Sequence, residues 1–286
     1  GVANWLFDQG EIVIRQAGIE WQDGLRGAPP LRLERVSFVL ENRGARHRFA
    51  LRAKPPGELA APLDVRGELR GAEAGPIDGW QGRIYVASTF VDLAAWHRWI
   101  DYPFEVNAGR GALTAWLSFR GRELTDLSVD VALADVSARL AGDLDVLELA
   151  SIQGRFGTRQ GAPQSGLRDL LGGGEQQLEA FGEQLALVTR AGVVLGPTDF
   201  RATWQPGDGQ RATRGAFTLR TLGLAALAHV GSHVPLPDKL RRALAELDPQ
   251  GRLDDLQVSW VGEWASPDSF RAESRFAGLG VRPWQG

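Results

Sequence analysis

The sequence has no cysteine and no methionine, and only Lys54 and Lys239 among its 32 basic residues are lysine. Without cysteine, a disulfide framework, a zinc ribbon and a thiol nucleophile are all excluded. Without an initiating methionine, the chain is expected to be processed or cut from a longer polypeptide. No apolar run approaches the ~20 residues that span a bilayer as a helix, and no signal peptide is evident. A membrane anchor, if one exists, is expected outside this sequence. The net charge of −3 lacks the basic excess that phosphate-backbone binding needs, so no nucleic-acid partner is expected.

Sequence signatures of catalysis are lacking as well. There is no G-x-S-x-G elbow, no Walker loop and no G-x-G-x-x-G fingerprint. His229 and His233 stand at i, i+4, but the segment HVGSH lacks the glutamate of H-E-x-x-H and carries Gly231 inside it. Asp143 and Asp145 form a D-x-D that reads as a turn, and His47 falls on the dry parity of a strand, where it reads as structural. No enzyme activity, metal or cofactor is expected.

What the sequence has is alternation. Leu63, Val65, Gly67 and Leu69 alternate with Asp64, Arg66, Glu68 and Arg70. Leu113, Ala115, Leu117 and Phe119 form a second such set, and Leu127, Val129, Val131 and Leu133 a third. Phe49 and Leu51 alternate with Arg48, Ala50 and Arg52. Period two with one dry and one wet face is the pattern of β-strands. It predicts a mainly β chain built as a long antiparallel sheet with a few short helices. About eighteen strands at ~4.8 Å spacing would make a sheet on the order of 85 Å long.

Helical signals are few. Asp92 precedes Leu93, Trp96 and Ile100, and Pro103 lies beyond them, which predicts a capped helix over 93–100. Asp238 is read as the cap of a second helix carrying Leu240, Leu244 and Leu247, stopped before Pro249. A helical turn is expected near Leu224–Leu227. Glycine-rich 157–178 reads as a loop or linker, dividing the chain into segments 1–156 and 179–286. An internal repeat supports two related halves. Phe90-Val91-Asp92-Leu93-Ala94-Ala95-Trp96 matches Thr221-Leu222-Gly223-Leu224-Ala225-Ala226-Leu227 in pattern. Each copy then runs through a G-x-L strand start, at Gly111 or Gly251, to a glycine at Gly121 or Gly262. The unit is strand, short helix, strand, strand, and the second copy is longer by a helix. The ten tryptophans serve either to fill a thin core or as an aromatic platform for sugar or lipid headgroups.

The opening Gly10-Glu11-Ile12-Val13-Ile14-Arg15-Gln16-Ala17-Gly18-Ile19-Glu20-Trp21-Gln22-Asp23 resembles the start of an AsmA-like module. Pro29-Pro30-Leu31-Arg32-Leu33, Leu40-Glu41-Asn42-Arg43, Ala53-Lys54-Pro55-Pro56 and Ala61-Pro62-Leu63-Asp64-Val65-Arg66-Gly67-Glu68-Leu69 follow in the expected order. Asp92-Leu93-Ala94-Ala95-Trp96 and Gly109-Arg110-Gly111-Ala112-Leu113 are similar to the YhdP group of that family. The resemblance implies a periplasmic segment of an inner-membrane-anchored protein. It implies a strongly curved β-groove through which phospholipid moves toward the outer membrane. The implied partners are phospholipid acyl chains, the remaining segments of the same longer chain, and other envelope proteins.

Strand parity alone selects the candidate groove residues: Phe49, Leu51, Leu63, Val65, Leu69, Ile84, Val86, Leu113, Leu117, Phe119, Leu127, Val129, Val131, Leu133, Val258 and Trp260. The same parity is compatible with packing in the closed core of a β-sandwich, a structural or glycan-binding module of the envelope. An envelope hydrolase has no nucleophile or metal set to rest on.

Overall fold

A computed structural model describes residues 5–6, 8–24, 27–71, 77–161, 177–207, 212–264 and 266–281. Among the described residues thirteen strands lie in one antiparallel sheet, in sequence order from β1 to β13, and the sheet is not closed into a barrel. They are β1 (Glu11–Trp21), β2 (Leu31–Arg43), β3 (Arg46–Lys54), β4 (Leu63–Arg70), β5 (Gln81–Asp92), β6 (Glu105–Arg120), β7 (Glu123–Arg139), β8 (Leu147–Gln160), β9 (Leu178–Thr189), β10 (Val194–Gln205), β11 (Arg214–Gly223), β12 (Gln250–Glu263) and β13 (Ser266–Gly280). Among the described residues the short α-helices α1 (Leu93–Trp96), α2 (Leu224–Val230) and α3 (Asp238–Leu247) accompany them, with one 3-10 turn at Ile77–Gly79. The predicted single meander is the fold found. Among the described residues all the strands belong to this one sheet.

Among the described residues the strands are fewer and longer than the eighteen expected. Alternating runs that read as separate strands are joined through irregular positions. Gly111, read as a strand start, lies inside β6 at φ +151, where its missing side chain lets the backbone approach Ala132 and Leu133. Gly157 to Gln160, read as the beginning of a linker, continue β8, while 162–176 lie outside the described residues. By its contacts the chain divides at Leu133/Ala134, inside β7, into two compact units.

In the first unit the hairpin ends of β2 to β6 form two rims. At one rim α1 is held by Asp92, whose carboxylate accepts from the Ala95 N–H at 3.0 Å and from Arg110 at 2.8 Å. Burial pushes the Asp92 carboxyl up, but Arg110 and the Ala95 and Ala94 N–H groups outweigh it and hold it below the usual carboxylate range. The helix stops at Trp96, short of the expected Ile100. Trp99, one turn further, packs with Leu31 and Leu59, and Ala95 and Trp96 lie against this cluster. The indole of Trp96 donates to the Leu59 carbonyl and that of Trp99 to the Pro29 carbonyl, each at 3.1 Å. These two tryptophans fill core. At the opposite rim His47 is fully buried, stacks on Trp80 at 5.2 Å and makes a 2.8 Å hydrogen bond from Nδ1 to Asn42 Oδ1.

In the second unit the repeat places α2 after β11 as α1 follows β5, and adds α3. Leu224, Ala226, Val230 and Leu244 are the buried side of these helices. Asp238 is the first helical residue of α3 and not its cap: Pro237 holds that position, with no side-chain bond. Proline's fixed φ and missing N–H suit the entry to a helix. The helix ends at Asp248 in the left-handed region, before Pro249. Asp143 sits in a turn and meets Arg241 at 3.5 Å.

Bulges interrupt strands in both units. Gln16, Arg35, Asp135, Gln184 and Asp255 adopt positive φ within strands, and the register shifts beside Gln16, Arg35, Gln184 and Asp255. A bulge adds a residue on one strand and increases its bend and twist, which is how a wide sheet is made to curl.

Candidate functional site

Cross-strand register sorts the first unit into two faces. One row runs Leu40, Phe49, Gly67, Ile84, Leu117 across β2 to β6, each residue directly opposite the next. The row beside it runs Phe38, Leu51, Val65, Val86, Ala115, and a third runs Asn42, His47, Leu69, Gly82, Phe119. Leu63 lies opposite Ala53, and Leu113 opposite Ser88, on the same face. The alternate rows carry Arg48, Glu68 and Arg83, then Arg52 and Asp64, on the other side. A single face therefore collects Phe49, Leu51, Leu63, Val65, Leu69, Ile84, Val86, Leu113, Leu117 and Phe119.

These side chains are neither buried nor bare: all ten are half-buried. Full burial on this face is reached near the rims, at Leu40, His47 and Ala53, and in mid-strand at Ala115, whose side chain is a single methyl. Leu127 and Val129 on β7 are half-buried, whereas Val131 and Leu133 are buried where Gly111 brings β6 close.

In the second unit Val258 and Trp260 are half-buried on β12. Their rows name residues that parity had not selected. Ala180, Ala202, Phe217 and Val258 form one row, and Leu178, Trp204, Gly215 and Trp260 the next. Gly182, Phe200, Leu219 and Leu256 form a third. The alternation Phe200, Ala202, Trp204 followed by Phe217, Leu219 was the signal available in the sequence. The opposite face carries Glu179, nearly buried, with Arg159 at 3.6 Å and Arg201 at 3.9 Å.

Glycine recurs on these apolar faces, opposite an aromatic residue each time. Phe49 covers Gly67, Phe200 covers Gly182 and Trp260 covers Gly215, and Phe119 stands 2.8 Å from where a Cβ on Gly82 would be. The ring takes the room that a glycine leaves, so a large apolar group is laid along the strand instead of standing away from it. The apolar rows become smooth, and the polar side chains of the face, Asn42 and His47 at one rim and Ser88 toward the other, are hydrogen-bonded within the protein. It offers dispersion contacts and no directional chemistry.

His229 is exposed on α2 and His233 lies beyond the helix end, so the two do not share a helical face. No group of three or more potential metal ligands occurs among the described residues, and no helix there is long and apolar enough to cross a membrane.

The family model described as "YhdP protein" matches residues 1–286. No curated protein and no solved structure matches the chain.

Proposed function

This chain belongs to the YhdP family, within the AsmA-like proteins of the bacterial envelope, and on that premise we propose that it is a non-catalytic segment of a periplasm-spanning protein that carries phospholipid between the inner and outer membranes. The acyl chains lie against the apolar rows, and the charged rows face water. The rest of the longer polypeptide supplies the inner-membrane anchor and the further segments.

One observation supports this reading above others: the large apolar side chains from Phe49 to Leu117 share a face and are half-buried, so their burial is incomplete without a further apolar partner. An apolar face of this extent must be dried by something, and a mobile hydrocarbon chain needs no directional partner.

Site-specific photo-crosslinking tests it. A crosslinker at Leu117 or Val86 is expected to capture phospholipid in cells. One at Ala50, exposed on the opposite face beside Arg66, is expected to capture none. Equal capture at the three positions, or none at Leu117 and Val86, would remove the groove.

A further inference from the structure

The outer face of the first unit holds a concentration of arginine that its carboxylates do not match. One row reads Arg43, Arg46, Arg70, Gln81, Arg120 across β2 to β6, so cations stand directly opposite one another. The row behind it reads Glu41, Arg48, Glu68, Arg83, Ser118. Like charges in direct opposition cost stability in a sheet unless something neutralises them. In a chain with a net charge of −3, these two rows carry six arginines against two glutamates.

Glu68 is fully committed. It takes Arg46 at 2.8 Å, Arg48 at 3.1 Å and Arg70 at 3.1 Å. Arg83 and Arg120 have no ion-pair partner among the described residues, and both are exposed. They line a cleft of about 300 Å³ together with Arg70, Gln81, Ser118 and Thr125. Glu68 and Asp126 are the carboxylates of that cleft. Three guanidinium groups, an amide and two hydroxyls thus border one space.

We propose that this cleft, formed at the rim of β4, β5 and β6 with its charged donors in the rows that alternate with the apolar ones, binds a phosphate-bearing ligand. The donor set selects the chemistry. A guanidinium presents a planar fork that bonds an oxyanion through two parallel N–H groups. Arg70 is bonded to Glu68, so Arg83 and Arg120 are the two forks free among the described residues, and a single carboxylate ligand engages one. A phosphate has the oxygens and the charge to take both, and the hydroxyls of Ser118 and Thr125 and the Gln81 amide are suited to its remaining lone pairs. The ligand is either a soluble phosphate or a phospholipid headgroup at a membrane surface. The site rests on different side chains from the groove reading: Gly82 and Phe119 of the apolar rows border the cleft, but the charged donors Arg70, Arg83 and Arg120 stand in the alternate rows.

The experiment titrates the 286-residue chain with pyrophosphate at low salt by calorimetry, and separately tests flotation with phosphatidylglycerol vesicles and with neutral phosphatidylcholine vesicles. Pyrophosphate is expected to bind, with affinity falling as salt rises. Arg83→Ala and Arg120→Ala should each weaken it by roughly tenfold, the effect of losing one charge-assisted contact. Arg83→Lys should recover only part of the loss, because a point charge replaces a fork. Arg52→Ala, paired with Asp64 at 3.5 Å on the same face, should leave binding unchanged. Both cleft arginines are exposed, so unfolding transitions of these variants should match the parent, which separates lost binding from lost folding. Flotation with phosphatidylglycerol alone, lost in the same variants, identifies the headgroup as the source, and binding of free pyrophosphate without flotation identifies a soluble phosphate. Absence of binding, or equal affinities in Arg83→Ala, Arg120→Ala and Arg52→Ala, overturns the site. None of these variants should alter lipid capture at Leu117, so failure here leaves the groove reading untouched and failure there leaves this one.

Discussion

Phe49 on β3 and Gly67 on β4 face each other in register, and the Phe49 ring occupies the space where a side chain at position 67 would begin. The same relation holds between Trp260 and Gly215. The glycines are therefore required by a neighbour and not by a turn. Gly67→Ala and Gly215→Ala are each expected to lower unfolding free energy by about 2 kcal/mol, the usual cost of overpacking. Gly57→Ala, with nothing near its Cβ, should be close to neutral. Denaturant melts of the three variants check this, and the prediction fails if Gly57→Ala is as costly as the others.

Truncations should separate the two kinds of apolar position. Phe181 is 1% exposed on β9, and Phe181→Ala is expected to cost about 3–5 kcal/mol. Leu117→Ala removes a half-buried side chain and should cost roughly half as much or less. Leu117→Asp should leave a folded chain by circular dichroism, since water can reach the face, while abolishing lipid capture. A Leu117→Asp protein that is unfolded would place Leu117 in a closed core.

Glu68 makes stability depend on acid. Its carboxyl is held down from 4.5 to about 2 by the hydrogen bond from Arg46 first, and then by Arg48 and Arg70. A carboxyl whose native value is lowered stabilises the fold at pH above its unfolded value and loses that contribution as pH falls through its native one. The melting temperature of Glu68→Gln should thus lie below that of the parent near neutral pH. The gap should close between about pH 4.5 and about pH 2. A gap that stays constant over that window would mean that the charge of Glu68 is not what stabilises the rim.

At the other rim, Asp92→Ala removes both the helix cap and the Arg110 pair, and should cost about 1–2 kcal/mol. Asp92→Asn keeps a capping oxygen and should recover most of that loss. Equal destabilisation by the two substitutions would assign the effect to the ion pair instead.

Most of this architecture was legible because side-chain parity in a strand is strict. Leu63, Val65, Gly67 and Leu69 could only fall on one face, and they do. The repeat was legible too, since Asp92 and Gly223 each end a strand and admit a helix. Strand limits were not. A bulge at Arg35 or Gln184 has no residue signature, and an extended glycine such as Gly111 looks like a break while continuing β6. Proline at 237 took the cap position because the helix begins one residue earlier than the aspartate suggested. For the candidate face, parity gave its members, but the exposure that separates Leu117 from Val131 depends on how closely neighbouring backbones approach, which no local pattern records. The rows through Phe200, Ala202 and Phe217 needed the register itself.

The order β1 to β13 without a crossover has a consequence for how such a protein can change over time. Each strand couples only to the ones before and after it, as links do in a linear array, so stability accumulates locally and folding can start anywhere and spread. Inserting or removing a hairpin at an exposed turn would alter the width of the array by about 10 Å and leave the sequence of neighbours intact. Size is then a free variable for this fold, because a strand pair can be gained or lost without repacking strands beyond its immediate neighbours.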